Sequence, residues 1–524
     1  MAENETQGGW ALPDGWVWTT IGEACEVNPR MTRPEQFDDD TLVSFVPMAA
    51  VDEVSGAIVS SEARPIGEVW RGYKRFAEGD VIFAKITPCM ENGKAAIAKG
   101  LLNGIGLGST EFHVLRTLDD ILPQWIYHFV RQESFRGDAA ARMTGTAGQL
   151  RVPTMFMQEA AIPLAPLPEQ RRIVAEIETQ FTRLDAAVAA LERAQANLRR
   201  YKASVLKTAC EGQLVPTEAA LARAEGRDYE PADQLLARIL SERRPRWIEA
   251  EIAKLERQGR MTGSASSVRG YKEPVPLESN DLPTLPDGWI WTSLDSLIYY
   301  TVDYRGKTPP SATNGVPIIS AANVKDGELV FDKPRYISHG TYQEVLVRGV
   351  PEPEDLIITT EAPVGAVALF PDTGTYHLTR RVIGFQTLEV DNRYLMYCFY
   401  GDVTQKHLDK HSRGTTVPRI LKPRLLATPI PLPPLAEQRR IVAEVERRLS
   451  VVAALERDVE AALARAARLR QAVLKQAFEG RLVPQDPDDE PASVLLERIR
   501  AQRKTQITEE GRRRTRQMLL PSMS

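Results

Sequence analysis

The chain has 524 residues and a formal net charge of −4 at pH 7. That length is more than one domain ordinarily needs, and the near-balanced charge excludes a uniformly basic nucleic-acid coat while leaving room for local basic faces. Four scattered cysteines (Cys25, Cys89, Cys210, Cys398) form no CxxC pair, which argues against a disulfide frame or a cysteine zinc site and points to a reducing compartment.

The opening residues, Met1 to Gln7, are polar and acidic, unlike a signal peptide, and residues 1–11 read as a disordered tail. No apolar run approaches the length of a membrane span, so a cytoplasmic location is expected. The first ordered signal is Leu12-Pro-Asp-Gly-Trp16, which returns as Leu285-Pro-Asp-Gly-Trp289, an offset of 273 residues. Pro166-Leu-Pro-Glu-Gln-Arg-Arg-Ile-Val-Ala-Glu176 returns as Pro434-Leu-Ala-Glu-Gln-Arg-Arg-Ile-Val-Ala-Glu444, and Glu211-Gly-Gln-Leu-Val-Pro216 as Glu479-Gly-Arg-Leu-Val-Pro484, both at an offset of 268. The chain is a tandem repeat of about 270 residues whose helical parts stay in register and whose globular parts barely match. A shared scaffold carrying divergent modules implies two related but distinct recognition tasks.

The modules, residues 12–165 and 285–433, hold short β-type runs cut by Gly, Pro, Asn and Asp. Asp80-Val-Ile-Phe-Ala-Lys-Ile-Thr87 and Asp355-Leu-Ile-Ile-Thr-Thr360 read as buried strands, and residues 123–130 and 393–399 as short helices. The expected class is α+β: two mixed α/β domains separated by two long helices, as a pseudo-twofold tandem repeat. In the first helical region, 166–260, Ile177, Leu184, Leu191 and Leu198 recur every seven residues, with Phe181 and Val188 on the complementary seam. In the second, 434–503, Val445, Val452 and Val459 hold the seam with Leu449 beside them. Polar residues Gln195, Lys202, Glu456 and Arg470 interrupt the stripes, as register-setting positions do. Seams this long predict a coiled coil, antiparallel if a pseudo-twofold relates the two copies; the alternative is that each helix lies on its own module. Gly212 and Gly480 end the long helices, and shorter helices start near Pro231 and Pro491. A polar linker spans 261–284, and residues 504–524 read as a basic, disordered tail.

No catalytic motif survives inspection. Gly104-Ile-Gly-Leu-Gly108 precedes a strand rather than a helix, so it reads as a β-turn and not a dinucleotide loop. Gly306-Lys-Thr308 lacks the first glycine of a phosphate loop and runs into two prolines. Pro88-Cys89 lacks a cofactor pocket, and Thr308-Pro-Pro-Ser311 lacks the aromatic residue of an amino-methylation motif. His407 and His411 are spaced like a zinc pair but have no further Cys or His to complete a tetrahedral site.

The doubled Leu-Pro-Asp-Gly-Trp, Pro-Leu-x-Glu-Gln-Arg-Arg-Ile-Val-Ala-Glu and Glu-Gly-x-Leu-Val-Pro motifs resemble the specificity subunit of a type I DNA restriction-modification system. Asp80–Lys94 and Gly106–Leu115 also resemble target recognition domains of that family, and the likeness runs from Leu12 to about Arg503. The resemblance implies a DNA-binding chain that is not itself an enzyme. Each module would read one half of a bipartite, asymmetric site, while the helices set the spacer and dock two adenine methyltransferase subunits. Motor-nuclease subunits would join the complex. S-adenosylmethionine, ATP and Mg would belong to those partners, with no cofactor or metal on this chain. Two other readings are a stand-alone DNA methyltransferase or nuclease and a coiled-coil adaptor that binds no DNA.

Base reading needs polar groups on loops, with cations for phosphate. The candidates in module one are Lys85, Thr87, Asn92 and Lys94 on one strand-loop unit, and Thr146, Gln149 and Arg151 on a Gly-rich loop. In module two they are Arg413, Thr415, Thr416 and Arg419 on the corresponding loop, with Arg305 and Lys307 as further candidates. Arg171, Arg172, Arg439 and Arg440 fall at the helix starts and fit partner docking or local contacts better than base reading.

Overall fold

The computed structural model describes residues 10–118, 120–146, 148–259, 268–277, 282–304, 309–325, 327–346 and 349–518, the last thirteen of these as backbone only. Arg305, Lys307 and the Gly306-Lys-Thr308 stretch lie outside the described residues, as do residues 1–9 of the N-terminal tail. The chain forms two compact units. One contains residues up to 192 together with those from 460 onward; the other is 193–459. Each unit is one globular module plus helical segments drawn from both halves of the repeat.

The two modules share the topology of their main sheet despite their unlike sequences. In module one a four-stranded sheet orders Cys25–Val27, Phe112–Thr117, Val81–Ala84 and Ala95–Ile97. In module two the same order is Ile298–Val302, Val382–Thr387, Leu356–Thr360 and Val364–Leu369. The central strands are buried throughout, which explains their continuous apolar sequence. Each module also contains a parallel pair: Leu42–Val46 with Ile105–Gly108, and Val316–Ile319 with His377–Leu378. The first and last strands of each module pair antiparallel, Val17–Thr20 with Ala161–Leu164 and Ile290–Ser293 with Pro429–Leu432. That pairing closes the module just before its long helix begins.

The Gly104–Gly108 stretch is no β-turn. Ile105–Gly108 is a fully buried strand. A Cβ at Gly106 would meet the Phe76 ring at 2.0 Å, and one at Gly108 would meet the Val46 carbonyl at 2.3 Å. The glycines permit close packing.

The long helices are Leu167–Cys210 and Leu435–Phe478, 44 residues each, or about 66 Å of helix. In the first unit Phe181 and Asp185 meet Arg470, whose guanidinium lies 4.5 Å from the Phe181 ring centroid and also pairs with Asp185. Ile173, Val174 and Ile177 join Val473, Leu474, Ala477 and Phe478 in one core. In the second unit Val205, Leu206, Ala209 and Cys210 join Ile441, Val442 and Val445. In both, the start of one helix accompanies the end of the other, so the helices run antiparallel. Among the seam residues Ile177, Val445, Val452 and Val459 are buried; Phe181, Leu184, Val188, Leu191, Leu198 and Leu449 are half-buried. Arg470, a polar interruption in sequence, stacks on Phe181 within the packing.

The repeated motifs meet where each module joins its helices. The buried Glu169 carboxylate accepts the Trp16 indole N–H at 2.9 Å, and Glu437 accepts that of Trp289 at 2.9 Å. Glu437 also accepts the Glu218 amide at 2.7 Å. Gln170 accepts from the Leu122 amide and donates to the Ala165 carbonyl; Gln438 does the same with Asp391 and Pro433. Arg172 pairs with Asp489 and Arg440 with Glu218. The helix-ending Gly480, at φ +66°, would clash through a Cβ with Pro13, and Gly212, at φ +68°, with Pro286. Burial raises the carboxyl pKa of both Glu169 and Glu437.

Two stretches differ from the sequence expectation. The final helix does not stop near Arg503 but runs Ala492–Met518. Arg500 pairs with Glu23, and Arg503 donates to the carbonyls of Gly22 and Cys25, docking it on module one. Part of the 261–284 linker is also docked: Arg243 donates to the Tyr271 hydroxyl and the Lys272 carbonyl, and the Val275 amide donates to Asp295. Among the described residues no helix is long and apolar enough to cross a membrane.

Replacing Glu437 by Ala leaves two buried donors, the Trp289 indole and the Glu218 amide, without partners. At about 1–3 kcal/mol per unsatisfied group, it is expected to cost roughly 2–5 kcal/mol. Glu437→Gln, which keeps one acceptor oxygen, should cost less. Urea unfolding followed by tryptophan fluorescence checks both.

Candidate nucleic-acid interface

The two candidate segments of module one, some sixty residues apart in sequence, form one surface. The strand ending at Ala84 leads into Lys85, whose amide donates to the Glu111 carbonyl at 2.9 Å and whose carbonyl accepts the Val152 amide at 2.8 Å. The Thr87 amide donates to the Leu150 carbonyl at 3.1 Å. The Gly-rich loop is pinched by reciprocal Thr144–Arg151 backbone hydrogen bonds of 3.0 and 2.9 Å. Gly145 and Gly148 take φ of +131° and +83°, a region in which side chains other than glycine are strained.

Module two builds the same platform. The Thr360 amide donates to the Arg381 carbonyl and its carbonyl accepts the Ile420 amide, both at 2.9 Å; the Ala362 amide donates to the Pro418 carbonyl at 3.2 Å. Arg413 and Arg419 make the reciprocal pinch, both bonds 2.9 Å. The backbone bonds therefore equate Lys85 with Thr360, Ile86 with Glu361, Glu111 with Arg381, Thr144 with Arg413, and Arg151 with Arg419.

The side chains on this common frame differ. In module one the Glu111 carboxylate holds Arg151 through Nε and Nη2, and Lys85 Nζ lies 3.9 Å away. The Arg151 hydrogen bonds, with the charge of Lys85, hold Glu111 below the usual carboxylate range. Lys74, on the strand beside Ile105–Gly108, adds a third cation; burial and the charge of Lys85 lower its pKa. His113 behind them is buried between Asn28 and the Val152 carbonyl, and burial pushes its pKa down to about 4. It stays neutral and supports the loop. In module two a cation, Arg381, stands at the position of Glu111, and it pairs at 3.0 Å with Glu361, at the position of Ile86.

The remaining candidates are spread unevenly. Thr146, Gln149 and Asn92 are exposed on the same surface of module one, and Thr87 is half-buried with its hydroxyl near Met143 Sδ at 3.6 Å. Lys94 is turned against Glu53 at 3.6 Å and is the least available cation of the set. Arg413, Thr415, Thr416 and Arg419 are all exposed. Lys74, Arg381 and the carboxylates Glu111 and Glu361 were missed by sequence reading, since they sit on strands distant in sequence from the loops. His407 Nε2 donates to the Arg424 carbonyl at 2.8 Å with His411 packed on it, and among the described residues no cluster of ligands is suited to a metal ion. Arg171 and Arg439 are exposed, whereas Arg172 and Arg440 are engaged in the helix-start ion pairs.

Comparison with known proteins agrees with this architecture. The family described as the type I restriction modification DNA specificity domain matches residues 305–463. The chain is 28% identical over 494 residues to the type I restriction enzyme EcoAI specificity subunit of Escherichia coli, covering 84% of this chain and 79% of that protein. It is 27% identical over 506 residues to the EcoEI specificity subunit of the same organism, with the same coverage. A solved structure concerned with complex assembly and conformational transition of the type I R-M system superposes with a TM-score of 0.62 at 25% identity, over 90% of this chain and 100% of that one. The chain is thus similar over most of its length to type I restriction enzyme specificity subunits.

At the other end of the central strand the modules differ in a way that titrates. Asp80 is paired with Arg116 in a two-bond contact of 2.8 and 2.7 Å. Its counterpart Asp355 faces Gln386 instead, accepts the Glu352 amide at 2.7 Å, and is 5% exposed. Burial pushes its pKa up to about 7. Because the folded value lies above the unfolded one, this group's contribution is fully favourable only below about pH 4 and is lost as pH rises toward 7. Asp355→Asn is expected to gain stability over wild type as pH rises from 5 to 7, by about 1–3 kcal/mol, and to hold that gain at pH 8. Thermal melts across this range test the sign.

Proposed function

We propose that this chain is the DNA-reading subunit of a type I restriction-modification complex, with each module recognising one half of a bipartite, asymmetric site. The observation that carries the reading is the shared backbone platform bearing unlike side chains, Lys85, Glu111 and Arg151 in one module and Thr360, Arg381 and Arg419 in the other. The same frame with different donors and acceptors can present two half-sites of different sequence. Lys85, Thr87, Asn92, Thr146, Gln149 and Arg151 form the reading surface of module one, and Arg413, Thr415, Thr416 and Arg419 that of module two; Lys94 contributes least. Cations beside the loops supply the sequence-independent attraction to phosphate.

The long helices act as the spacer and as the docking face for two adenine methyltransferase subunits, with Arg171 and Arg439 exposed at their starts. Motor-nuclease subunits complete the complex. Catalysis, S-adenosylmethionine, ATP and Mg belong to those partners, and the complex acts on chromosomal and invading DNA in the cytoplasm.

Exchanging residues 285–433 for the module of another family member is expected to change one half-site and leave the other half and the spacing intact. Methylome sequencing of a host expressing the chimera and its methyltransferase reads this directly; alteration of both halves would reject the two-reader scheme. Removing one heptad between Leu184 and Leu198, with the matching heptad of the second helix, shortens the helices by about 10 Å. The expected result is a spacer shorter by about three base pairs or loss of assembly. An unchanged spacer in a normally assembled complex would reject the spacer role.

A further inference from the structure

Arg151 reaches the surface already held from one side. Its Nε donates to both Glu111 oxygens at 3.1 and 3.0 Å, its Nη2 to Glu111 Oε1 at 2.8 Å, and its Nη1 to the Gln149 carbonyl at 3.0 Å. A guanidinium carries five N–H groups in a rigid fork. These contacts engage three, leaving one proton on each terminal nitrogen. The side chain is 40% exposed, so those two protons are available to a ligand. The adjacent Lys74 and Lys85 leave the cluster net positive.

A fixed pair of donors on a planar cation matches the two acceptors, O6 and N7, that guanine alone presents together in the major groove. A phosphate clamp has no such need of a preset orientation, because a flexible ammonium serves as well. Module two places an arginine on the same platform by another route: Arg381, at the position of Glu111, pairs through Nη2 at 3.0 Å with Glu361, at the position of Ile86. On the DNA-reading function proposed above, we infer that Arg151 and Arg381 are guanine readers, one per half-site, and that Glu111 and Glu361 are positioning residues that aim them.

The test uses the chain assembled with its own methyltransferase subunits. Methylation is measured on host DNA and on duplexes in which each base pair of the half-sites is replaced in turn. Arg151→Lys keeps the charge and removes the fork. It is expected to lower methylation of the cognate duplex while leaving that of duplexes substituted at one G·C pair little changed, so that discrimination at that pair falls about 5- to 150-fold, the range for one bidentate base contact. Glu111→Gln should weaken discrimination at that same pair, and Arg381→Lys at one pair in the other half-site. Because the two arginines lie in separate modules, misfolding of one variant does not remove the test at the other. Uniform weakening on every sequence would make these residues phosphate contacts and overturn the inference. Unchanged selectivity would make the ion pairs structural and overturn it equally. A wild-type complex that methylates without sequence preference would instead reject the DNA-reading function itself.

Discussion

A carboxylate buried at the start of a helix is the constraint on which the two units depend. Glu169 and Glu437 sit within the first turn, where a negative charge is favoured by the exposed amides and the helix dipole. Each accepts an indole N–H from the tryptophan that opens its own module. The module is thereby fixed to the helix that follows it. The remaining contacts at the junction come from the other repeat: Asp489 and Gly480 in the first unit, Glu218 and Gly212 in the second. The first unit can be completed only when the end of the chain returns to its beginning. Ala492 donates to the Gly15 carbonyl, as Ala232 donates to that of Gly288. The pseudo-twofold repeat is thus closed by equivalent hydrogen bonds at both junctions.

That arrangement accounts for which parts were legible in the sequence. The duplicated motifs were visible because their key residues have a buried partner or a steric limit: the indole, the carboxylate, the glutamine bridging two backbone groups, and the glycine under a proline. The pairing of the long helices followed from seven-residue spacing and its antiparallel sense from the repeat, and the loop platforms from the Gly and Thr content around residues 144–151 and 412–419. The pairing of Glu111 with Arg151 was not legible, since the two are brought together by a sheet whose strand order departs from chain order. Nor was Lys74, which reaches the site only because its strand flanks the Ile105–Gly108 strand. The glycines of that strand were misread because glycine has the same signature in a turn and under a large aromatic ring. The final helix was ended too early because its basic composition resembled a tail, while its anchors, Glu23 and two carbonyls, lie almost five hundred residues upstream.

The contrast between constant scaffold and divergent modules has a physical basis in where hydrogen bonds are made. At the junctions, specific side chains satisfy buried donors, so a change at Glu437 or Trp289 strands its partner in a place without water. On the two loop platforms, the loops are closed by backbone-to-backbone bonds: Lys85 to Glu111 and Val152, or Thr360 to Arg381 and Ile420. Those bonds are indifferent to the side chain above them. Lysine can become threonine, and glutamate arginine, while the loop keeps its path. The cores behind the platforms tolerate exchange as well. Phe129 meets Phe478 at a ring-centroid separation of 5.3 Å in the first unit, whereas the corresponding region of the second carries Cys398 and Cys210, the latter donating to the Tyr397 carbonyl at 3.5 Å. A fold that stores its stability in helix junctions and backbone ladders leaves its surface loops free to vary, and variation there is what a reader of two different half-sites requires.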